Sequence, residues 1–130
     1  MNDPTPIPSP TPAPAPVVTG TPRITIDQFK TVDLRTAKVL EVTAHPKADR
    51  LWVLKIDIGE ATPRTIVSGI REHYTPEQLV GRTIIAVANL EPAALRGVES
   101  AGMLLAVRDP ENHVILLSVD GAIPPGVRVS

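Results

Sequence analysis

Between residues 4 and 16 every even position is proline, from Pro4 through Pro8 and Pro12 to Pro16. Proline fixes φ and offers no N–H, so neither a helix nor an interior strand can pass through this run. The spacing predicts an extended polyproline II segment rising roughly 3 Å per residue. Proline-reading domains need the three-residue step of P-x-x-P, which a strict two-residue step never makes within the run. The expected role is therefore a tether. The first 22 residues hold eight of the fifteen prolines, none of the thirteen Lys and Arg, and one acidic residue, Asp3. Everything able to pack lies after Pro22. The expected organisation is a disordered tether over 1–22 and one folded domain over 23–130, with a core of modest margin.

That domain carries little net charge. The chain has thirteen basic and fourteen acidic residues, and setting Asp3 aside leaves the body balanced. Indiscriminate, tight nucleic-acid binding usually shows as a strongly basic balance, which is absent. Any RNA site must then rest on locally placed charge and select by shape. Phe29, Trp52 and Tyr74 are the aromatic residues. Three scattered rings cannot form the stacking platform of a sequence-tolerant single-strand binder. There is no cysteine, which excludes disulfides and thiolate-held zinc. No apolar run approaches the roughly 20 residues of a membrane span, and the N-terminus lacks a secretory pattern. The expected location is the cytoplasm.

After a capping box at Thr25–Gln28, short segments with β patterning follow one another. Strands are predicted over 34–43, 51–58, 64–68, 83–88, 103–107 and 114–119. Along 51–58 the residues Trp52, Leu54, Ile56 and Ile58 share one face. Thr75-Pro76-Glu77-Gln78, closed by Gly81, predicts a short helix between the third and fourth strands. Closely spaced strands with one such helix point to a mainly β fold, the five-stranded Greek-key oligonucleotide-binding barrel, with a C-terminal extension.

Catalytic chemistry finds no support. His45, His73 and His113 have no partner at metal-ligand spacing and read as solvated loop residues. Ser68 and Ser100 lack a nucleophile-elbow context, and Gly97–Gly102 lacks the Lys-Ser/Thr pair of a phosphate loop. No enzyme activity, metal or cofactor is expected.

Four stretches in order carry more information: Val32-Asp33-Leu34-Arg35-Thr36-Ala37-Lys38-Val39, His45-Pro46-Lys47-Ala48-Asp49-Arg50-Leu51, Ile66-Val67-Ser68-Gly69-Ile70, and Val87-Ala88-Asn89-Leu90-Glu91-Pro92 running into Leu95-Arg96-Gly97-Val98-Glu99-Ser100-Ala101-Gly102-Met103-Leu104. Together they resemble the tRNA-binding domain family. Its members are the domain appended to the C-terminus of bacterial methionyl-tRNA synthetases and the free-standing bacterial tRNA-binding protein. The resemblance covers residues 24–130. It implies an oligonucleotide-binding barrel that binds tRNA by its folded shape without aminoacylating it. It also implies a homodimer, and methionyl-tRNA synthetase as a possible associate. A bacterial export-associated chaperone is similar around His73-Tyr74-Thr75-Pro76-Glu77, which leaves a protein-binding module as an alternative. A dimerisation or docking device for a synthetase is another.

The candidate tRNA-binding residues are Arg35, Lys38, Asn89, Arg96, Ser100 and Met103. Arg35 and Lys38, three apart on a strand, face opposite ways unless a bulge intervenes, and Lys38 is the stronger candidate. Asn89 either reads RNA or shapes a turn. Arg96 sits in a loop where barrels of this class bind oligonucleotides. Ser100 and Met103 are carried by the resemblance, and Met103 reads equally well as core.

Overall fold

The computed structural model describes residues 20–130, so the tether expected over 1–22 lies almost entirely outside the described residues. The order of elements is α1 (Ile26–Phe29), β1 (Leu34–Ala44), β2 (Trp52–Asp57), β3 (Arg64–Ser68), α2 (Pro76–Leu79), β4 (Thr83–Val87), β5 (Ala93–Leu95), β6 (Val98–Ser100), β7 (Met103–Leu104), β8 (Ala106–Arg108), β9 (Val114–Leu116) and β10 (Arg128–Val129). The main sheet runs β3-β2-β1-β4-β7, with β10 added against the start of β1. Its free edges meet where the Ala101 N–H donates to the Thr65 carbonyl at 2.9 Å and the Val67 N–H donates to Ser100 Oγ at 2.9 Å. The result is a mainly β, nearly closed barrel with α2 between the third and fourth strands, as the sequence predicts. No helix among the described residues is long and apolar enough to cross a membrane.

β1 makes the closure possible. Its first half pairs with β4, from Leu34↔Val87 to Lys38↔Thr83, and its second half pairs with β2. The register shifts between Val39 and Glu41, leaving Leu40 as a bulge. A bulge reverses the alternation of faces and sharpens the bend. Ala37 and Val39 point inward before it, and Val42 packs against the core after it. Leu54, Ile56, Ile66 and Ile84 complete the centre with no exposed surface. Each such aliphatic side chain contributes about 1.5–3 kcal/mol when fully buried. Both expected capping boxes form, at Thr25 with Gln28 and at Thr75 with Gln78. The second sets α2 so that Leu79 is fully buried in the core.

Two regions depart from the sequence expectation. Residues 93–100, expected as a loop, form the β5–β6 hairpin, in which Leu95 pairs with Val98 across Arg96-Gly97. Both turn residues have positive φ, 54° and 92°, as the tight two-residue type I′ turn requires. An Asn-Gly pair would have announced this turn; Arg-Gly does not. The strand expected over 103–107 divides into β7 and β8. β7 pairs with β4 and β8 pairs with β9, with Leu105 held to the Ile85 carbonyl between them. The last predicted strand correspondingly ends at Leu116. Val114 and Leu116 enter the core, while Ile115 faces outward.

Candidate nucleic-acid interface

Barrels of this class bind oligonucleotides with the loop joining their first two strands and the loop joining their fourth and fifth. Here those are the β1–β2 turn, residues 45–51, and the β5–β6 hairpin inserted between β4 and β7. The two meet in a cleft of about 420 Å3 lined by Lys47, Ala48, Asp49, Arg50, Leu51 and Arg96. Three cations and one carboxylate line it, a local excess of positive charge in a chain of net charge −1. Lys47 and Arg96 form no ion pair among the described residues. Arg50 stands 3.4 Å from Glu72, both exposed, a contact worth little in water. Behind the turn, Arg71 lies 4.8 Å over the Trp52 ring and reaches the Ala48 carbonyl at 3.4 Å. Trp52 in turn donates from Nε1 to the Tyr74 carbonyl at 2.8 Å and packs on the core, so it is no stacking platform.

His45 corrects its expected place. It is not a solvated loop residue but 97% buried, at 3% exposure. Its Nδ1 accepts from the Lys47 N–H at 3.0 Å. The ring is therefore protonated at Nε2, which lies 2.9 Å from the Leu95 carbonyl on the hairpin. The signal for this residue, and for Lys47 and Arg50, was position: all three lie in the turn that this class of barrel uses for binding.

The sequence-selected residues fall into two groups. Arg96 is exposed at the hairpin tip and lines the cleft. Lys38 is exposed in mid-strand, opposite Asp57 and Thr83 and away from the cleft. Met103 is 49% exposed, in a groove shared with Ser68, Gly69 and Arg108, rather than in the core. The others are engaged internally. Arg35 donates from Nε to Asp33 at 2.8 Å and from a terminal nitrogen to the Gly126 carbonyl at 3.0 Å. The Leu40 bulge lies beyond Lys38, so Arg35 and Lys38 do face opposite ways. Asn89 accepts from the Asp33 N–H at 2.9 Å and donates to the Thr31 carbonyl at 2.7 Å. Ser100 accepts from Val67 and donates to the Gly102 carbonyl at 3.0 Å.

Arg35 belongs to the opposite pole of the barrel, a polar pocket of about 260 Å3 bordered by Asp33, Arg35, Gly59, Glu60, Arg64 and Gly126. Arg64 bonds the Ala88 carbonyl at 2.6 Å, the Ala101 carbonyl at 3.1 Å and the Glu60 carboxylate. Arg128 donates to the Lys30 carbonyl at 2.7 Å. The hydrogen bond from Arg35 holds the Asp33 carboxyl below its ordinary range, against partial desolvation and helped by the charges of Arg128 and Arg64. The C-terminal segment closes this pole backbone to backbone. A Cβ on Gly126 would lie 2.8 Å from the Gly59 Cα, so no side chain fits there.

Elsewhere, Asp109, Glu111 and His113 bring their ligand atoms within 4.8 Å of one another, correcting the expectation that no carboxylate accompanies His113. Their bonds serve the turn: Asp109 accepts from the N–H groups of Glu111 and His113 and from the His113 ring. On the β8–β9 hairpin the paired residues Val107 and Ile115 are 58% and 60% exposed.

Comparison with known proteins agrees with this geometry. The family model described as "Putative tRNA binding domain" matches residues 34–128. The methionine–tRNA ligase of Thermotoga maritima is 55% identical over 107 residues, 82% of this chain and 17% of the ligase. That of Bacillus subtilis is 47% identical over 108 residues, 83% of this chain and 16% of the ligase. The chain thus spans about a sixth of the length of these relatives. Among solved structures, a MetRS-related protein from Pyrococcus horikoshii superimposes with a TM-score of 0.78 at 33% identity, covering 85% of this chain and 100% of its own. The chaperone CsaA from Bacillus anthracis gives 0.75 at 29% identity, covering 84% and 100%. With a barrel of the right topology and these matches over most of its length, the chain belongs to the tRNA-binding domain family.

Proposed function

We propose that this domain binds tRNA through its folded shape, as a non-catalytic module acting in the cytoplasm either alone or as part of a methionyl-tRNA synthetase. The observation that carries the reading is the cleft lined by Lys47, Arg50 and Arg96 together with Asp49. Three cations on a neutral body favour a few phosphates in a fixed arrangement over any polyanion. RNA recognised by shape is read through backbone and 2′-hydroxyl contacts, which needs no aromatic platform. Arg96, Lys38 and Met103, with side chains open to solvent, are the contacts among the residues selected from sequence. Arg35, Asn89 and Ser100 support them by holding the barrel ends in shape. The proline-rich stretch of 1–22 serves as a tether.

A titration of folded tRNA against an unstructured RNA of equal length tests this reading. Folded tRNA should bind more tightly, with a shallow salt dependence reflecting few phosphate contacts. Equal affinity for both, or no binding at low salt, rejects it. The likeness to CsaA and the apolar Val107–Ile115 pair give a second reading, a binder of unfolded polypeptide. Retention of unfolded protein that tRNA does not compete away would favour that one.

The same apolar pair supports a homodimer. An exposed aliphatic strand is a liability unless something covers it. A second copy, packed about a two-fold axis, covers it with an identical patch. Sedimentation should give a dimer mass at micromolar concentration; a monomer mass across that range removes this part of the proposal.

A further inference from the structure

Two separate pieces of chain carry the cations of the cleft, and each closes on bonds of its own. In the turn, the His45 N–H bonds the Leu51 carbonyl and the Leu51 N–H bonds the Ala48 carbonyl, both at 3.3 Å. The hairpin has its own ladder, from Ala93↔Ser100 to Leu95↔Val98. The base of the hairpin is tied to β3 through Ser100 and Ala101, but none of these bonds reaches from its tip to the turn. His45 spans that gap. One ring nitrogen is bonded at the backbone of Lys47, and the other at the carbonyl of Leu95, the residue before Arg96. A rigid planar ring bonded at both edges and 3% exposed holds the two attachment points at a set separation.

From this we infer that His45 is the positioning residue of the RNA site. It sets the spacing between the cation-bearing turn and the cation-bearing hairpin tip, so that Lys47 and Arg96 meet RNA phosphates as one preformed arrangement. The inference rests on the tRNA-binding reading above. The imidazole touches no RNA. It acts by removing the ordering that two independent loops would otherwise undergo on binding. A side chain serving the turn alone need not be histidine, because the amide of asparagine makes the same bond to the N–H two residues on. Only a side chain with an acceptor on one edge and a donor on the other joins both loops.

Two conservative variants separate the halves of this role. His45→Asn keeps an acceptor for the Lys47 N–H and loses the reach to Leu95. His45→Gln keeps a donor long enough for Leu95. With the folded state checked by circular dichroism, the Kd for folded tRNA should rise about tenfold in His45→Asn, as for one lost hydrogen bond. It should rise no more than about threefold in His45→Gln. Combining variants gives the readout that a merely structural role would not move. In the His45→Asn background, the loss caused by Arg96→Ala should shrink to about twofold, because the arginine no longer acts together with Lys47.

Wild-type affinity in a folded His45→Asn protein, or independent effects of His45→Asn and Arg96→Ala, overturns the inference. Should the variants not fold, nitrogen chemical shifts of the His45 ring in the intact protein decide. The Nε2–H tautomer with a scalar coupling across to Leu95 supports the bridge; the Nδ1–H tautomer overturns it. If the wild-type protein shows no preference for folded tRNA, the functional reading fails, and the ring measurement still reports whether the bridge exists.

Discussion

At one pole of the barrel Arg35, Arg64 and Arg128 direct their donors inward, to Asp33, Glu60 and four backbone carbonyls. At the other, Lys47 and Arg96 pair with nothing among the described residues, and Arg50 holds only an exposed carboxylate. The same chemistry serves two ends. Guanidinium groups that find backbone carbonyls become struts, because withdrawing such a partner leaves a half-buried charge or carbonyl unsatisfied. Cations left in water cost little to keep and remain available to an anion. Net charge over the whole chain averages these populations and so conceals both.

Removing the C-terminal segment, which seals the strut pole with β10 and fills the core with β9, should have the largest effect. A chain ending at Asp109 loses β9 and β10, and with them Val114, Leu116 and the bonds to Thr36. Two core side chains alone represent about 3–6 kcal/mol, comparable to the whole stability of a small domain. Circular dichroism should show an unfolded chain, and a cooperative melt would contradict the role given to this segment. Arg64→Ala comes next. Its side chain is 19% exposed and holds two carbonyls, so urea unfolding should show a loss of about 2–3 kcal/mol. Affinity for tRNA, measured where the protein is folded, should stay within about twofold. A binding defect with unchanged stability would reverse the comparison.

Arg96→Asn sharpens it from the other pole, with opposite signs in one substitution. Asparagine tolerates positive φ better than arginine does, and Asn-Gly is the favoured pair for this turn. Stability should hold or rise by about 0.5 kcal/mol. Binding should weaken by about 1–3 kcal/mol, and the salt slope should fall by about one unit. Unchanged affinity would place Arg96 among ordinary solvated residues.

The smallest effect concerns Asp33. Its carboxyl is held below the ordinary range chiefly by the Arg35 hydrogen bond. The unfolded chain therefore takes up the proton first as pH falls. The stabilisation is complete above the ordinary carboxylate value and is lost as pH drops through the lowered one. Urea midpoints measured from about pH 6 to about pH 3 should decline, and Asp33→Asn should flatten part of that decline. Asp109, lowered by bonds from His113, adds a decline of the same sign. An identical pH profile in Asp33→Asn would deny Asp33 its part at this pole.

The strands and α2 were legible in the sequence because local signals agreed with the fold. The alternation of 52–58, the β-branched run of 34–43 and the box at Thr75–Gln78 all survive packing. The β5–β6 hairpin was not legible, since Ala93 and Ala94 carry no strand preference and arginine is an unusual occupant of a left-handed turn position. Of the residues lining the cleft, Arg96 was singled out in the sequence, as a loop residue beside Gly97. His45 was misread because a histidine beside proline looks like a solvated turn until its distant partner, 50 residues on, is known. The bonds of Arg35, Asn89 and Ser100 were likewise invisible, each depending on contacts that sequence spacing does not express.

The pairing of β10 with the start of β1, Leu34 beside Val129, settles the direction from which the barrel is held. The chain enters β1 and finishes β10 at one pole, while the cleft lies past the far end of β1, on the order of 30 Å along the strand. A body joined directly at β10 would stand at that pole, with the length of β1 between it and the cleft. Grafting an unrelated protein onto the C-terminal side of β10 therefore leaves the approach to the cleft unobstructed.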